Sequence, residues 1–212
     1  MGVFKMKKSF LLTIFILVAT AVPSFALPIS GSNGLNGLGS FSGTFEYDQT
    51  NFTIRVSLTN TSPAANGYLT AFAFNIPDSF TVTGIGFNAT GYEFSELTSP
   101  INAAPFGSFD TGAGLSSANW EGAGDPKDGI PVGATGSFIF TLFGTGLESL
   151  TTANFFSQPD PWFVARFMGF NDGGSDKVPN DPNTPVPEPA TMLLLGAGLI
   201  GLGFFSRKRF LK

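Results

Sequence analysis

The 212 residues include no cysteine and no histidine. The first absence excludes a disulfide framework and a thiol nucleophile, the second excludes an imidazole base, and together they exclude a Cys/His zinc centre. Charge is also scarce, at 12% of residues, which argues against a charge-rich disordered chain. What the chain has instead is 27 Gly, 15 Pro and 25 Phe. Glycine and proline disfavour a helix-rich fold, and the phenylalanines supply material for a packed core. With about 150 residues per domain as a guide, the length predicts one globular unit, rich in β-structure.

The few basic residues are unevenly placed. Lys5, Lys7 and Lys8 precede an apolar run from Phe10 to Ala21 that closes on Pro23-Ser24-Phe25-Ala26. This is the layout of a secretory signal peptide over residues 1–26, with Ser24 and Ala26 as the small residues beside the cut. Signal peptidase is therefore an expected partner, cutting between Ala26 and Leu27. Met6-Lys7-Lys8-Ser9 begins a complete signal by itself, so Met1 and Met6 both stand as starts. A second apolar stretch, Ala190 to Phe205, is followed by Arg207, Lys208 and Arg209. Positive residues are retained on the cytoplasmic side, so this end is expected to stay inside while the rest is exported. As a transmembrane helix, residues 190–205 are short: about 24 Å against a hydrocarbon core of about 30 Å. Four glycines weaken it further. It suits a temporary stop that holds the chain for processing, with 206–212 as basic tail.

Immediately before this helix stands Pro187-Glu188-Pro189. The two prolines hold Glu188 in an extended, helix-incompatible backbone at the membrane edge. The order of this tripeptide, a Gly/Leu-rich apolar helix and a terminal Arg/Lys cluster resembles the PEP-CTERM sorting signal of exosortase substrates. The resemblance covers about residues 185–212. It implies that a membrane-embedded exosortase recognises Pro187, Glu188 and Pro189, cuts there, and releases the protein toward the outer surface or extracellular matrix of a Gram-negative bacterium. The catalytic machinery belongs to that enzyme, and the tripeptide is substrate.

Between the ends, Leu27 to Pro185 holds 4 basic residues (Arg55, Lys127, Arg166, Lys177) and 14 acidic ones, a net charge of −10. No basic stripe exists for nucleic acid. Phe52, Ile54, Val56 and Leu58 alternate with polar residues, the signature of a strand with one buried face. Further strands are predicted at Phe41–Tyr47, Tyr68–Ile76, Phe80–Phe87, Tyr92–Leu97, Ser137–Phe143 and Trp162–Phe170, bounded by turn residues. No comparable helical stretch is present. The prediction is an all-β domain over 27–178, an antiparallel β-sandwich of Ig-like or jelly-roll type, followed by a Pro-rich linker at 179–186. Thr98–Thr135 reads as irregular, with one short strand at Ser117–Glu121.

Several residues are candidates for a site. Asp172 and Asp176, beside Asn171 and Ser175 on a Gly-rich loop, offer the hard oxygen ligands that Ca²⁺ prefers; the alternative is a solvated turn. Asp125-Pro126-Lys127-Asp128, with Glu121 nearby, is a weaker acidic cluster. Among aromatic platforms for a glycan, Trp120 leads Trp162, Tyr47, Tyr68 and Tyr92 because it lies outside the clear strands; the alternative is burial under its own loop. Glu93 with Glu96, or Glu121 with Asp125, could serve as a glycosidase pair, but so many acids generate such pairs without any signature. The expectation is therefore a non-enzymatic surface or matrix protein with no cofactor. The alternative is a glycan- or Ca²⁺-binding adhesion module working on extracellular polysaccharide, and a carboxylate hydrolase ranks third.

Overall fold

The computed structural model describes residues 26–32, 34–63, 67–97, 99–115, 120–121 and 124–182. The expected signal peptide up to Phe25, the Pro187-Glu188-Pro189 motif, the 190–205 helix and the Arg207-Lys208-Arg209 cluster lie outside these residues. Among the described residues no helix is long and apolar enough to cross a membrane.

The domain is built from antiparallel sheets. One contains β1 (Leu27–Gly31), β2 (Phe41–Asp48), β3 (Thr53–Asn60), β11 (Thr135–Thr145) and β5 (Thr81–Thr90), in the order β1-β2-β3-β11-β5. The other is ordered β13-β12-β4-β9-β6, from β13 (Ser175–Pro179), β12 (Phe163–Met168), β4 (Tyr68–Phe74), β9 (Thr111–Gly114) and β6 (Ser95–Glu96), with β10 (Ile130–Pro131) also pairing β4. β7 (Ile101–Asn102) and β8 (Ser108–Phe109) form a separate two-stranded unit.

Phenylalanines from both main sheets share one core. Phe45 of β2 meets Phe74 of β4 edge-on at 5.3 Å, and Phe41 of β2 lies 5.4 Å from Phe163 of β12. Phe72 of β4 sits 4.7 Å from Phe138 of β11. The alternation predicted for β3 holds, with Ile54, Val56 and Leu58 at most 1% exposed. β4 does not alternate, because both its faces are covered: Phe72 and Phe74 enter the main core, while Ala71 and Ala73 belong to a second cluster with Leu97, Ile101, Ala103, Phe109, Trp120 and Val164. Small residues let this outer layer approach, and a strand buried on both sides reads as a continuous apolar run.

The structure forms strands in the segment expected to be irregular. Thr98–Thr135 holds β7, β8, β9 and β10 rather than one strand at Ser117–Glu121; residues 116–119 lie outside the described set and Trp120-Glu121 form a turn. β9 is Thr-Gly-Ala-Gly, with no hydrophobic alternation to mark it as a strand. Gly112 is required there: a Cβ would stand 2.2 Å from the Phe72 carbonyl oxygen. The Tyr92–Leu97 strand shrinks to Ser95–Glu96. At the other end, Pro179 closes β13, and Asn180 is buried with its Oδ1 accepting from Trp162 and Phe163 N–H at 3.1 Å each. Asp181 N–H donates to the Ser30 carbonyl at 2.7 Å. The segment read as linker from 179 is thus bonded to the sheets through 181.

A short helix, α1 (Thr152–Phe156), closes the core: Phe155 packs 4.8 Å from Phe45 and 6.2 Å from Tyr47. Tyr47 is buried and its hydroxyl donates to the Leu147 carbonyl at 2.9 Å. Burial, and then the charges of Asp48 and Glu148, push its phenol up to about 12. A folded-state value above the unfolded one of about 10 means that this stabilisation is complete below pH 10 and lost as pH rises through 12. Tyr47→Phe should therefore cost about 1 kcal/mol at neutral pH, by stranding an acceptor, and flatten the alkaline loss. Denaturant titrations of both proteins at neutral pH and at about pH 11 check this; an unchanged alkaline slope in the variant would contradict it.

Candidate functional site

The residues nominated from sequence are put to different uses. Asp176 is 2% exposed and faces inward beside Val178. Its Oδ1 accepts from Asn36 N–H at 3.0 Å and from Lys177 N–H at 2.9 Å. Its Oδ2 accepts from Leu38 N–H at 2.8 Å and Gly39 N–H at 3.0 Å. The loop 34–39 is wrapped around this carboxylate so closely that a Cβ on Gly34 would lie 2.4 Å from Oδ2. Asp172 is exposed, and its Oδ1 accepts from Gly174 N–H at 2.8 Å within its own turn. The two side chains therefore serve different partners. Among the described residues no group of three Asp or Glu side chains is arranged to hold a metal ion.

Trp120 is 5% exposed, inside the second cluster on the outer side of β4, with its indole N–H unpaired. As a platform it offers no open face to solvent; the irregular region in which it lies folds it inward, because Ala71 and Ala73 leave room for a large ring. Beside it, Glu121 joins a charged cluster. β12 and β13 set Arg166 directly opposite Lys177, and like charges so placed repel. The Glu121 carboxylate bridges them, at 2.6 Å from Arg166 Nη1 and 2.8 Å from Lys177 Nζ. Its carbonyl oxygen also accepts from Arg166 Nη2 at 2.7 Å, and Lys177 Nζ donates to the Ala104 carbonyl at 2.8 Å. Partial burial raises the Glu121 pKa, but the hydrogen bonds and charges of Lys177 and Arg166 outweigh it, and the carboxyl is held below its ordinary value. That is the wrong direction for a general acid. Asp125, its nominated partner, accepts from Lys127 N–H at 3.0 Å and caps a 3₁₀ turn at Pro126–Asp128. The cluster pins the Trp120 turn to the sheet.

An open cavity of about 400 Å³ is lined by Gly91, Tyr92, Glu93 and Asp128. Gly91, at φ +90 with nothing within 4 Å of its would-be Cβ, turns the chain after β5 and sets Tyr92 and Glu93 at the rim. The 3₁₀ turn brings Asp128 from the acidic cluster to the same place. Tyr92 is half-buried against the core, whereas Tyr47 and Trp162 are buried within it. Glu96, the other half of the nominated Glu93 pair, is in β6, and burial raises its carboxyl above the ordinary value. One aromatic ring and two carboxylates, Glu93 and Asp128, thus stand together at the open cavity. The juxtaposition of Tyr92 and Asp128 has no sequence signature; only the Gly-Tyr turn after a strand hinted at it.

A β-rich domain of antiparallel sheets is the class that these features define. Residues 185–209 match the family model of the PEP-CTERM protein-sorting motif, so the chain carries that sorting signal. The motif marks an exosortase-targeted exported protein of the Gram-negative envelope or surface. No curated protein and no solved structure matches the chain.

Proposed function

We propose that the protein is a non-enzymatic β-sandwich component of the cell surface or extracellular matrix, cut by signal peptidase at Ala26-Leu27 and by an exosortase at Pro187-Glu188-Pro189. The sorting-motif match at 185–209 carries this reading. Two structural facts support it. Leu27 is the first residue of β1 and is buried against the core, and the bonded part of the domain extends to Asp181, just ahead of the motif. The sandwich, of Ig-like or jelly-roll kind, is the cargo. Arg207, Lys208 and Arg209 hold the tail inside until the cut is made. Intact-mass measurement on the native surface or secreted form should find a chain lacking Met1–Ala26 and Ala190–Lys212. Residues 192–212 still attached in that form would overturn the processing.

The cavity at Tyr92 favours a second reading, in which the exported domain also holds extracellular polysaccharide. Tyr92 stacks on the sugar while Glu93 and Asp128 accept its hydroxyls. Binding to neutral oligosaccharides in a glycan array, lost in Tyr92→Ala and kept in Trp120→Phe, is the expected result. Binding unaffected by Tyr92→Ala would place the ligand elsewhere.

A further inference from the structure

The two main sheets have four edges, and three are protected. β1 is met by the chain after β13: Asp181 N–H bonds to the Ser30 carbonyl, and a Cβ on Gly31 would lie 2.3 Å from the Pro179 carbonyl oxygen. β13 is covered by the loop 34–39, where Leu35 N–H donates to the Lys177 carbonyl and Asn36 Nδ2 to the Ser175 carbonyl. β6 is two residues long. The fourth, β5, has ten residues and, among the described residues, pairs on one side only, with β11. Its sequence, Thr-Val-Thr-Gly-Ile-Gly-Phe-Asn-Ala-Thr, has no charge and no proline, two of the devices by which exposed edges normally avoid pairing. The register with β11 slips once, around Thr83, and runs unbroken from Gly84 to Thr90.

The core is unfinished along this edge. On β11 the inward residues Phe138, Phe140 and Leu142 are buried, whereas Val82, Ile85, Phe87 and Ala89 on β5 pack against the same core yet are only partly buried. Phe87 lies 5.0 Å from Phe140 on one side; on the other, among the described residues, no strand follows. On the outer face Phe143, 56% exposed, lies over Gly84 and Gly86.

We propose that β5 is a self-assembly edge, on which a second copy of this chain adds its own β5 antiparallel across a two-fold axis at Phe87. Side-chain fit favours the second copy as occupant. In that register Phe87 of one copy stands opposite Phe87 of the other, Ile85 opposite Ala89, Gly86 opposite Asn88 and Gly84 opposite Thr90. A large residue meets a small one beside a central aromatic pair, and no two like charges face each other although the exported domain is strongly acidic. The added strand supplies main-chain hydrogen bonds to the β5 edge and covers the partly buried inner row. A two-fold contact closes after two copies, so the product is a dimer joined through one continuous sheet.

Sedimentation equilibrium of the native exported form should give the mass of two chains. Phe87→Lys places two like charges on the axis and should return one chain with an unchanged far-UV circular dichroism spectrum. Should that variant fail to fold, the cysteine-free background provides a second measurement. Asn88→Cys, on the exposed side of the edge, should give a two-chain species with a short thiol crosslinker, and Val132→Cys, in an exposed turn, should not. A single-chain mass for the wild type at its highest soluble concentration overturns the proposal. So does a folded Phe87→Lys dimer, or crosslinking that is equal at the two cysteines.

Discussion

Phe72→Ala is expected to destabilise the exported domain by about 4 kcal/mol, within the range for emptying a large aromatic from a closed core. The ring is fully buried, and three others stand around it: Phe138 at 4.7 Å, Phe140 at 6.0 Å and Phe163 at 5.7 Å. Two of these belong to the opposite sheet, so the vacated volume lies between layers, not at a margin. The walls cannot close it easily. β4 is laddered to β12 on one side and β9 on the other, and β11 is held between β3 and β5. For a domain of this size the loss corresponds to roughly 8–16 °C in Tm. Phe143→Ala, which truncates an exposed ring of the same kind, should change stability by less than about 0.5 kcal/mol. Denaturant unfolding followed by the fluorescence of Trp162 and Trp120 measures both. A Phe72→Ala loss no larger than that of Phe143→Ala would mean that the two sheets do not share this core.

Asp176→Ala should cost about 3 kcal/mol, since it removes the common acceptor of four backbone N–H groups, of which Gly39 N–H is buried and those of Asn36, Leu38 and Lys177 are partly so. Asp176→Asn keeps the size and one acceptor oxygen, but turns an amide donor toward other donors, and should cost about 2 kcal/mol. The damage should be local as well as global. Amide exchange over 34–39 should accelerate in both variants before the β3 and β11 ladder is affected, because that loop is held by the carboxylate and by the edge of β13. A loss below about 1 kcal/mol in Asp176→Ala would show that water satisfies these donors as well as the carboxylate does.

Asp176 also shows where sequence reading stops. Asp172-Gly173-Gly174-Ser175-Asp176 has the composition of a polar turn or of a calcium loop, and nothing nearby announces that its last carboxylate points inward. Three of the four donors that hold it are at Asn36, Leu38 and Gly39, almost the whole domain away along the chain. Trp120 is a parallel case. Its neighbours are irregular and polar, which favours exposure, yet the alanines of β4 on the far side of the contact decide its burial. Tyr92 acquires its acidic companion Asp128 only because β10 pairs β4 and carries the preceding 3₁₀ turn alongside.

The sequence by itself determined the export class, the sorting tail and the β-rich character of the domain. A sorting signal is read by other machinery as a linear string, so residue order at 185–209 is enough to recognise it. Alternation is equally local: successive side chains of a strand point to opposite faces, and Ile54, Val56 and Leu58 follow from that alone. Strand order was decided only by the tertiary structure, and with it everything that depends on which distant segments meet. That includes the closure of β1 and β13 by the chain around them, the bridge from Glu121 to Arg166 and Lys177, the cavity beside Tyr92, and the exposure of β5 as an edge. A strand's own residues state which face is apolar, but whether another strand lies beside it depends on how the rest of the chain packs.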